Sequence, residues 1–196
     1  GARATIFLNE PGNLNPLRET TLRSLIAASA WLDEQPQLKV VVVAGRGRAF
    51  CAGADVQLVG SDAAPGAPGP RAMADLGREM ADAIEGIRAV TIASIHGHCI
   101  GGGVVLASAC DLRVAASTAS FRIPEIDLGI PLAWGGMPRL VRDIGPVMTR
   151  ELVLTCRKFT ASEAKDIGFL NRVVPDSELE ASVSKLADEL LDKAQY

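Results

Sequence analysis

The strongest constraint on the fold is a run of four valines and an alanine at residues 40–44. A continuous β-branched run is typical of a strand buried on both faces, as in a parallel sheet. It follows residues 20–32, where the apolar positions have the spacing of an amphipathic helix. The pattern therefore predicts a helix that leads into a buried strand.

The same alternation continues along the chain. Further strands are predicted at residues 4–8, 91–95, 112–115 and 172–174. Helices are predicted at residues 72–87, 104–109, 136–143, 146–155, 161–167 and 177–194. Residues 61–70 are rich in glycine and proline and predict a mobile loop. Strands that alternate with helices favour a layered α/β fold.

Composition excludes several classes of function. Aromatic residues make up only 4% of the 196 residues, which argues against a stacking surface for nucleic-acid bases. The net charge is −3 and the basic residues are scattered, so no nucleic-acid partner is expected. No apolar run approaches the ~20 residues that span a membrane. The four cysteines lack paired spacing and predict reduced thiols, with no metal site, in a cytoplasmic protein.

A glycine cluster and one acid indicate chemistry. Residues 101–103 are three glycines before an apolar segment, and such a cluster can point backbone N–H groups at a polarised oxygen. Further along, Glu125 lies among apolar neighbours, which should raise its pKa toward the working pH. The glycine spacing does not match a dinucleotide fingerprint. The combination predicts proton transfer beside a stabilised oxyanion; tight helix–strand packing is the alternative for the glycines.

An ordered set of motifs resembles one family. Residues 48–55 (RAFCAGAD) and residues 95–115 resemble two signature segments of the crotonase, or enoyl-CoA hydratase/isomerase, superfamily. Residues 121–129, 135–140, 161–164 and 168–175 follow in the family's order. The resemblance implies an α/β fold, a crotonase-like spiral of ββα units with helices packed around the sheets. It also implies a core domain with an acyl-CoA site at residues 1–175 and the start of a truncated C-terminal helical region at residues 176–196.

The resemblance also implies roles for individual residues. The backbone N–H groups of Ala54 and Gly102 match the oxyanion hole that holds the thioester carbonyl. The other substrate-binding positions implied are Ala52, Gly53, Asp55, Val56, Gly101, Val105 and Trp134. Asp55 could instead cap a helix, and Trp134 could instead belong to the core. Coenzyme A would be part of the substrate, with no separate cofactor, and the protein would be a homotrimer or a dimer of trimers.

The acids present favour one reaction of the family. Hydratases of the family use two glutamates; Glu125 matches the second, and Val105 stands where the first would be. One carboxylate suffices to move a proton from C2 to C4, so Δ3,Δ2-enoyl-CoA isomerisation is expected. Dienoyl-CoA isomerases carry further acids, and the matching positions here are Val105 and Ala133.

Two alternatives stay open. One is a hydratase in which Asp127 or a bound water replaces the lost glutamate. Asp127 would share a face with Glu125 if that stretch is extended, but a solvated or structural role is expected for it. The other is a non-catalytic acyl-CoA-binding homologue.

Overall fold

The computed structural model describes residues 1–55 and 69–193. In chain order, its eight strands are β1 (Arg3–Leu8), β2 (Val40–Gly45), β3 (Val90–Ile95), β4 (His98–Ile100), β5 (Leu112–Ala116), β6 (Ser120–Arg122), β7 (Phe159–Thr160) and β8 (Arg172–Val174). Five of them form a parallel sheet in the order β1-β2-β3-β5-β8. The other three form a small mixed sheet in the order β4-β6-β7.

Six α-helices are described. They are α1 (Glu19–Asp33), α2 (Pro70–Glu85), α3 (Gly102–Ser108), α4 (Gly136–Thr155), α5 (Ala161–Asp166) and α6 (Leu179–Leu191). Short 3-10 turns lie at Pro11–Asn13, Ile126–Leu128 and Asp176–Glu178. Helix α4 is kinked at Gly145, whose φ of 73° and ψ of 165° are not helical, and Pro146 follows. The two helices predicted at residues 136–143 and 146–155 therefore meet at this kink.

The valine run is buried on both faces of the large sheet, as predicted. Val41 and Val43 belong to the main hydrophobic core, whereas Val40 and Val42 belong to a second cluster on the other face. Side chains of a strand alternate between faces, which explains this division. Helix α6 covers the second cluster with Leu179, Val183, Leu186 and Ala187.

Most predicted elements are confirmed, and their ends differ by a few residues. The three short strands of the small sheet were not predicted. The predicted loop at residues 61–70 lies almost wholly outside the described residues, and Pro70 already begins α2. The division at residue 175 stays a prediction, although α6 packs directly on the large sheet. Within the described residues, no helix is both long and apolar enough to cross a bilayer.

Candidate active site

Two backbone segments are locked side by side next to the small sheet. Cys51 pairs with Cys99 in a parallel bridge: its N–H donates to the His98 carbonyl (3.0 Å) and its carbonyl accepts from the Ile100 N–H (3.0 Å). A Cβ on Gly53 would lie 2.5 Å from the Ile100 carbonyl oxygen and 3.1 Å from the Gly102 backbone nitrogen. The segment ending at residue 54 therefore lies against the start of α3.

This pairing brings Ala54 close to Gly102, as the resemblance implied. Within residues 1–55 and 69–193, neither of their backbone N–H groups donates a hydrogen bond to another residue. Backbone N–H groups are normally paired when a chain folds, so two neighbouring unpaired donors indicate a place for an acceptor from outside the chain. Main-chain donors of this kind are rigid, which suits the stabilisation of an oxyanion.

The Glu125 carboxyl lies against the first glycine of the cluster. A Cβ on Gly101 would lie 2.6 Å from Glu125 Oε1, so a side chain at Gly101 would displace the carboxyl. Gly101 also has a φ of 51° and a ψ of −115°, a conformation that glycine tolerates best. Its N–H donates to the Arg122 carbonyl at the end of β6 (2.9 Å). The glycine thus joins the start of α3 to the segment that carries the acid.

The Glu125 carboxyl is buried, and one of its two oxygens has no partner in the described part of the chain. The residue is 9% exposed, and Oε2 has no hydrogen-bond partner among the described residues. Burial raises the pKa of Glu125 from its usual value to about 7. Desolvation disfavours the charged carboxylate, and this effect outweighs the opposing one of a hydrogen bond from the backbone of Glu125 itself. The raised pKa predicted from the apolar neighbours of Glu125 is confirmed, and it suits a group that both takes and returns a proton near neutrality.

Asp127 does not join this site. Residues Ile126–Leu128 form a 3-10 turn, whereas the hypothesis of a shared face with Glu125 needed an extended segment. The Asp127 carboxylate instead accepts a hydrogen bond from Arg122 Nη2 (2.5 Å), and its side chain is 54% exposed. The condition for a shared face with Glu125 is therefore not met, and Asp127 has the solvated, structural role that was expected for it.

The position of the missing glutamate is apolar and filled. Val105 is 1% exposed on α3. A Cβ on Gly136 would lie 2.8 Å from Val105 Cγ2 and 3.0 Å from Leu132 Cγ, so these groups are in close contact. An activated water needs polar partners. Val105 and its apolar contacts supply none on this side.

Trp134 stands next to the glycine cluster. A Cβ on Gly102 would lie 2.3 Å from Cζ3 of the Trp134 ring, which places the indole against the backbone of this glycine. Trp134 has a φ of 58°, in the left-handed region that non-glycine residues seldom adopt. Buried Arg139 donates to the Trp134 carbonyl (3.4 Å) and the Gly135 carbonyl (3.3 Å). The indole is therefore placed by a constrained loop.

Of the remaining predicted binding positions, Ala52 and Asp55 are described by the structure and Val56 is not. Ala52 is half-buried, and its N–H donates to the Leu14 carbonyl (2.9 Å). The Asp55 carboxylate accepts a hydrogen bond from Arg18 Nε (2.7 Å), so an ion pair holds this acid. Val56 lies outside the described residues, and so does any helix that Asp55 would cap.

The cysteines offer no nucleophile. All four are buried and free, and burial raises the pKa of the Cys51 and Cys110 thiols to about 12. A thiol with such a pKa stays protonated near neutrality and is a poor nucleophile. No group of three or more His, Cys, Asp or Glu side chains is placed to hold a metal ion in the part of the chain that is described.

A surface cavity of about 390 Å³ lies elsewhere, between the end of β1 and α1. Phe7, Glu10 and Thr21 are among the residues that line it, whereas Glu125 and Gly102 are not. The one carboxylate among its lining residues, Glu10, is paired with Arg18. We therefore place the candidate site at the glycine cluster, where the chemistry converges.

Known proteins share this architecture and sequence. The enoyl-CoA hydratase/isomerase family model matches residues 2–196. A crotonyl-CoA hydratase from Syntrophomonas wolfei is 36% identical over 193 residues, covering 98% of this chain and 73% of the relative. A peroxisomal Delta(3,5)-Delta(2,4)-dienoyl-CoA isomerase from Arabidopsis thaliana is 36% identical over 199 residues, covering 96% of this chain and 72% of the relative.

A solved structure gives the same result for the fold. The crystal structure of an enoyl-CoA hydratase from Bacillus anthracis has a TM-score of 0.90 and 33% identity to this chain. The match covers 97% of this chain and 73% of that one. The chain therefore belongs to the enoyl-CoA hydratase/isomerase family and has the crotonase fold.

Proposed function

We propose that the protein binds acyl-CoA thioesters and catalyses Δ3,Δ2-enoyl-CoA isomerisation with Glu125 as its only base. The observation that carries this proposal is one buried carboxyl, with an unpaired Oε2, next to a glycine cluster where the Gly102 N–H has no acceptor among the described residues. A second acid is absent from the places where the hydratase mechanism needs one, since Val105 is apolar and Asp127 is paired with Arg122.

The proposed reaction moves one proton and one double bond. The thioester carbonyl oxygen accepts hydrogen bonds from the N–H groups of Ala54 and Gly102. The Glu125 carboxylate takes a proton from C2 of a 3-enoyl thioester, and the electron pair of that C–H bond shifts to give a dienolate. The two N–H groups stabilise the negative oxygen, and each such donor contributes about 3 kcal/mol to the transition state. The protonated Glu125 then returns the proton at C4, which leaves the double bond at C2–C3.

Hydration of 2-enoyl-CoA is the second candidate, because relatives of the chain include proteins named as hydratases. With one buried acid, Glu125 would have to activate the water and also protonate the α-carbon. Tight binding of acyl-CoA without turnover is the non-catalytic alternative. The predicted trimeric assembly and cytoplasmic location stay predictions.

One pair of variants separates these candidates. Glu125→Gln keeps the shape of the side chain and removes its basicity, so we expect 3-enoyl-CoA isomerisation to fall by about 10³-fold while the Kd for a saturated acyl-CoA is nearly unchanged. Asp127→Asn is the matched control and should keep wild-type activity, because Asp127 is half-exposed and faces Arg122.

Each other outcome points to a different candidate. Crotonyl-CoA hydration that exceeds isomerisation would establish the hydratase, and its loss in Asp127→Asn would show that Asp127 supplies the second carboxylate. Tight binding with neither activity would establish the non-catalytic protein. Full isomerase activity in Glu125→Gln would contradict the assignment of the base.

A further inference from the structure

The indole of Trp134 fills a gap between two helices that both present bare glycine to it. A Cβ on Gly77 of α2 would lie 2.1 Å from Trp134 Nε1, and a Cβ on Gly102 of α3 would lie 2.3 Å from Cζ3. These atoms belong to the pyrrole and the benzene parts of the ring, so the ring extends from one helix to the other. An alanine at either glycine would collide with the ring.

The loop that carries the ring is clamped to α2. Trp134 and Gly135 have φ values of 58° and 69°, so two successive residues are left-handed. Arg139 is buried and donates to both of their carbonyls, while its Nη2 also contacts Asp82 (2.8 Å) and Glu85 (2.5 Å) of α2. A strained backbone persists where its surroundings fix it. The clamp therefore holds the indole in place from the backbone side.

The ring borders the path that an acyl chain must take. The carbonyl oxygen of a bound thioester would lie at the Gly102 N–H, and the indole contacts the Cα of the same residue. The carbon atoms next to that carbonyl must reach Glu125, which lies against Gly101. An acyl group that satisfies both contacts runs alongside the indole. Beyond the first carbons, Val105 and Leu132 close the space around Gly136.

We propose that Trp134 is the residue that limits acyl-chain length, so that the protein accepts short-chain acyl thioesters and excludes long ones. This inference rests on the proposed acyl-CoA site, and it names the substrate class of that site. An indole fixed between α2 and α3 takes up the room of several methylene groups. Because the ring is held by two glycine contacts and by Arg139, it cannot move aside at small cost.

The first test measures binding, which needs no catalysis. Kd values are determined by calorimetry for saturated acyl-CoAs of increasing chain length, from butyryl to dodecanoyl. We expect the wild type to bind butyryl-CoA best and to lose affinity for longer chains. Trp134→Gly, which also suits the left-handed backbone, should gain tenfold or more in affinity for the long chains, since a pocket discriminates about tenfold or more per methylene. Trp31→Phe, an exposed position on α1, is the control and should keep the wild-type profile.

The second test uses the native ring and does not depend on folding of the glycine variant. The chain has two tryptophans, so Trp31→Phe leaves Trp134 as the single tryptophan, whose emission is excited selectively above the tyrosine absorption band. Butyryl-CoA should change the emission of this variant, whereas coenzyme A without an acyl group should change it little.

The two tests separate this inference from the proposed function. If the wild type binds no acyl-CoA, the proposed function fails. If it binds dodecanoyl-CoA as tightly as butyryl-CoA, or if Trp134→Gly leaves the profile unchanged, or if butyryl-CoA leaves the emission unchanged, the length limit is overturned while the acyl-CoA site stands.

Discussion

The Glu125 carboxyl lies in a buried position where its charged form is poorly solvated. Its Oε2 has no partner among the described residues, and the residue is 9% exposed. Such a group costs stability once it is charged, because the unfolded chain solvates it fully. The same burial gives the carboxyl a pKa of about 7, which a proton shuttle needs. Function and stability are therefore opposed at this residue.

The effect of Glu125 on stability depends on pH in a defined way. The pKa of Glu125 is raised in the folded protein, so the folded state holds its proton more tightly than the unfolded state does. The contribution of Glu125 to the free energy of unfolding is therefore most favourable at acid pH, and it is lost as pH rises from about 4.5 to about 7. Relative to wild type, Glu125→Gln should gain roughly 3 kcal/mol in free energy of unfolding across that window.

Urea denaturation at pH 4.5 and pH 8 measures the gain. Exposed Glu180 on α6 provides the control, and Glu180→Gln should show no such difference between the two pH values. A difference for Glu125→Gln that is constant with pH would contradict a raised pKa.

For single residues, the sequence predicted the raised pKa of Glu125 but not the contacts made with residues far away in the chain. The apolar neighbours of Glu125 were enough to predict a raised pKa, because burial is a local property of that segment. The alternative in which Asp127 shares a face with Glu125 required an extended backbone, and a 3-10 turn forms there instead. The role of Arg139 depends on Asp82 and Glu85, which are far away in sequence, and no local signal pointed to them.

Among the elements, α4 shows how a backbone angle divides a helix. Gly145 has a φ of 73° and a ψ of 165°, and a Cβ there would meet no atom within 4 Å. The cost of a side chain at this position is therefore purely conformational. Gly145→Ala should lower the free energy of unfolding by about 1–3 kcal/mol.

Gly12 is the matched control for this substitution. A Cβ on Gly12 also meets nothing within 4 Å, and its φ is not in the left-handed region. Gly12→Ala should therefore change stability by less than about 0.5 kcal/mol. Equal effects of the two alanines in denaturant titrations would show that the backbone at Gly145 is not strained by a side chain.

Arg139 supplies the buried guanidinium of the clamp between α4 and α2, and the more exposed Arg142 also pairs with Glu85. Arg139 and Arg78 both pair with Asp82, but the Arg139 side chain is 7% exposed and the Arg78 side chain is 53% exposed. Hydrogen bonds from a buried charged donor contribute more than an exposed ion pair does. Arg139→Met should lower the free energy of unfolding by about 2–3 kcal/mol.

Arg78→Met tests whether burial is the cause, and it should cost less than about 1 kcal/mol. Thermal and urea unfolding of both variants gives the comparison. A similar small loss in the two variants would mean that the clamp does not stabilise the loop at Trp134.

The elements that sequence patterns predicted share one physical property. The long strands and helices each bury a periodic apolar face, and that periodicity is visible within the segment itself. The strands β4, β6 and β7 have only two or three residues each, and they exist because distant segments pair with them. Such pairing leaves no periodic signal, although β4 and β6 place the glycine cluster and Glu125.

In the whole molecule, the large sheet has a separate core on each face, and α6 provides one of them. Leu186 of α6 is 7% exposed in the cluster with Val42 and Ile92. Leu186→Ala should lower the free energy of unfolding by about 2–4 kcal/mol, because it removes buried methyl groups and leaves a cavity.

Leu154 at the end of α4 is 66% exposed and provides a control of the same residue type. Leu154→Ala should cost less than about 0.5 kcal/mol in the same denaturation experiment. If Leu186→Ala were as mild as the control, α6 would not be part of the cooperative fold.

The ordered motifs along the chain identified the family because they are spread over nearly all of it, from the segment at residue 48 to that at residue 175. Motifs do not decide which reaction of the family is catalysed, because that depends on the few side chains that lie together at the site. The structure brings together Ala54, Gly102 and Glu125, surrounds Val105 with apolar groups and turns Asp127 away. Among the described residues, this leaves Glu125 as the one carboxyl at the proposed site.

The pH dependence of kcat/KM for 3-enoyl-CoA isomerisation tests that single-carboxyl mechanism most directly. If Glu125 is the base, kcat/KM should rise about tenfold per pH unit in acid and level off above an apparent pKa of about 7. Glu125→Gln should lose this ionisation together with the activity. A wild-type rate that stays constant between pH 5 and pH 8 would contradict the assignment of Glu125 as the proton shuttle.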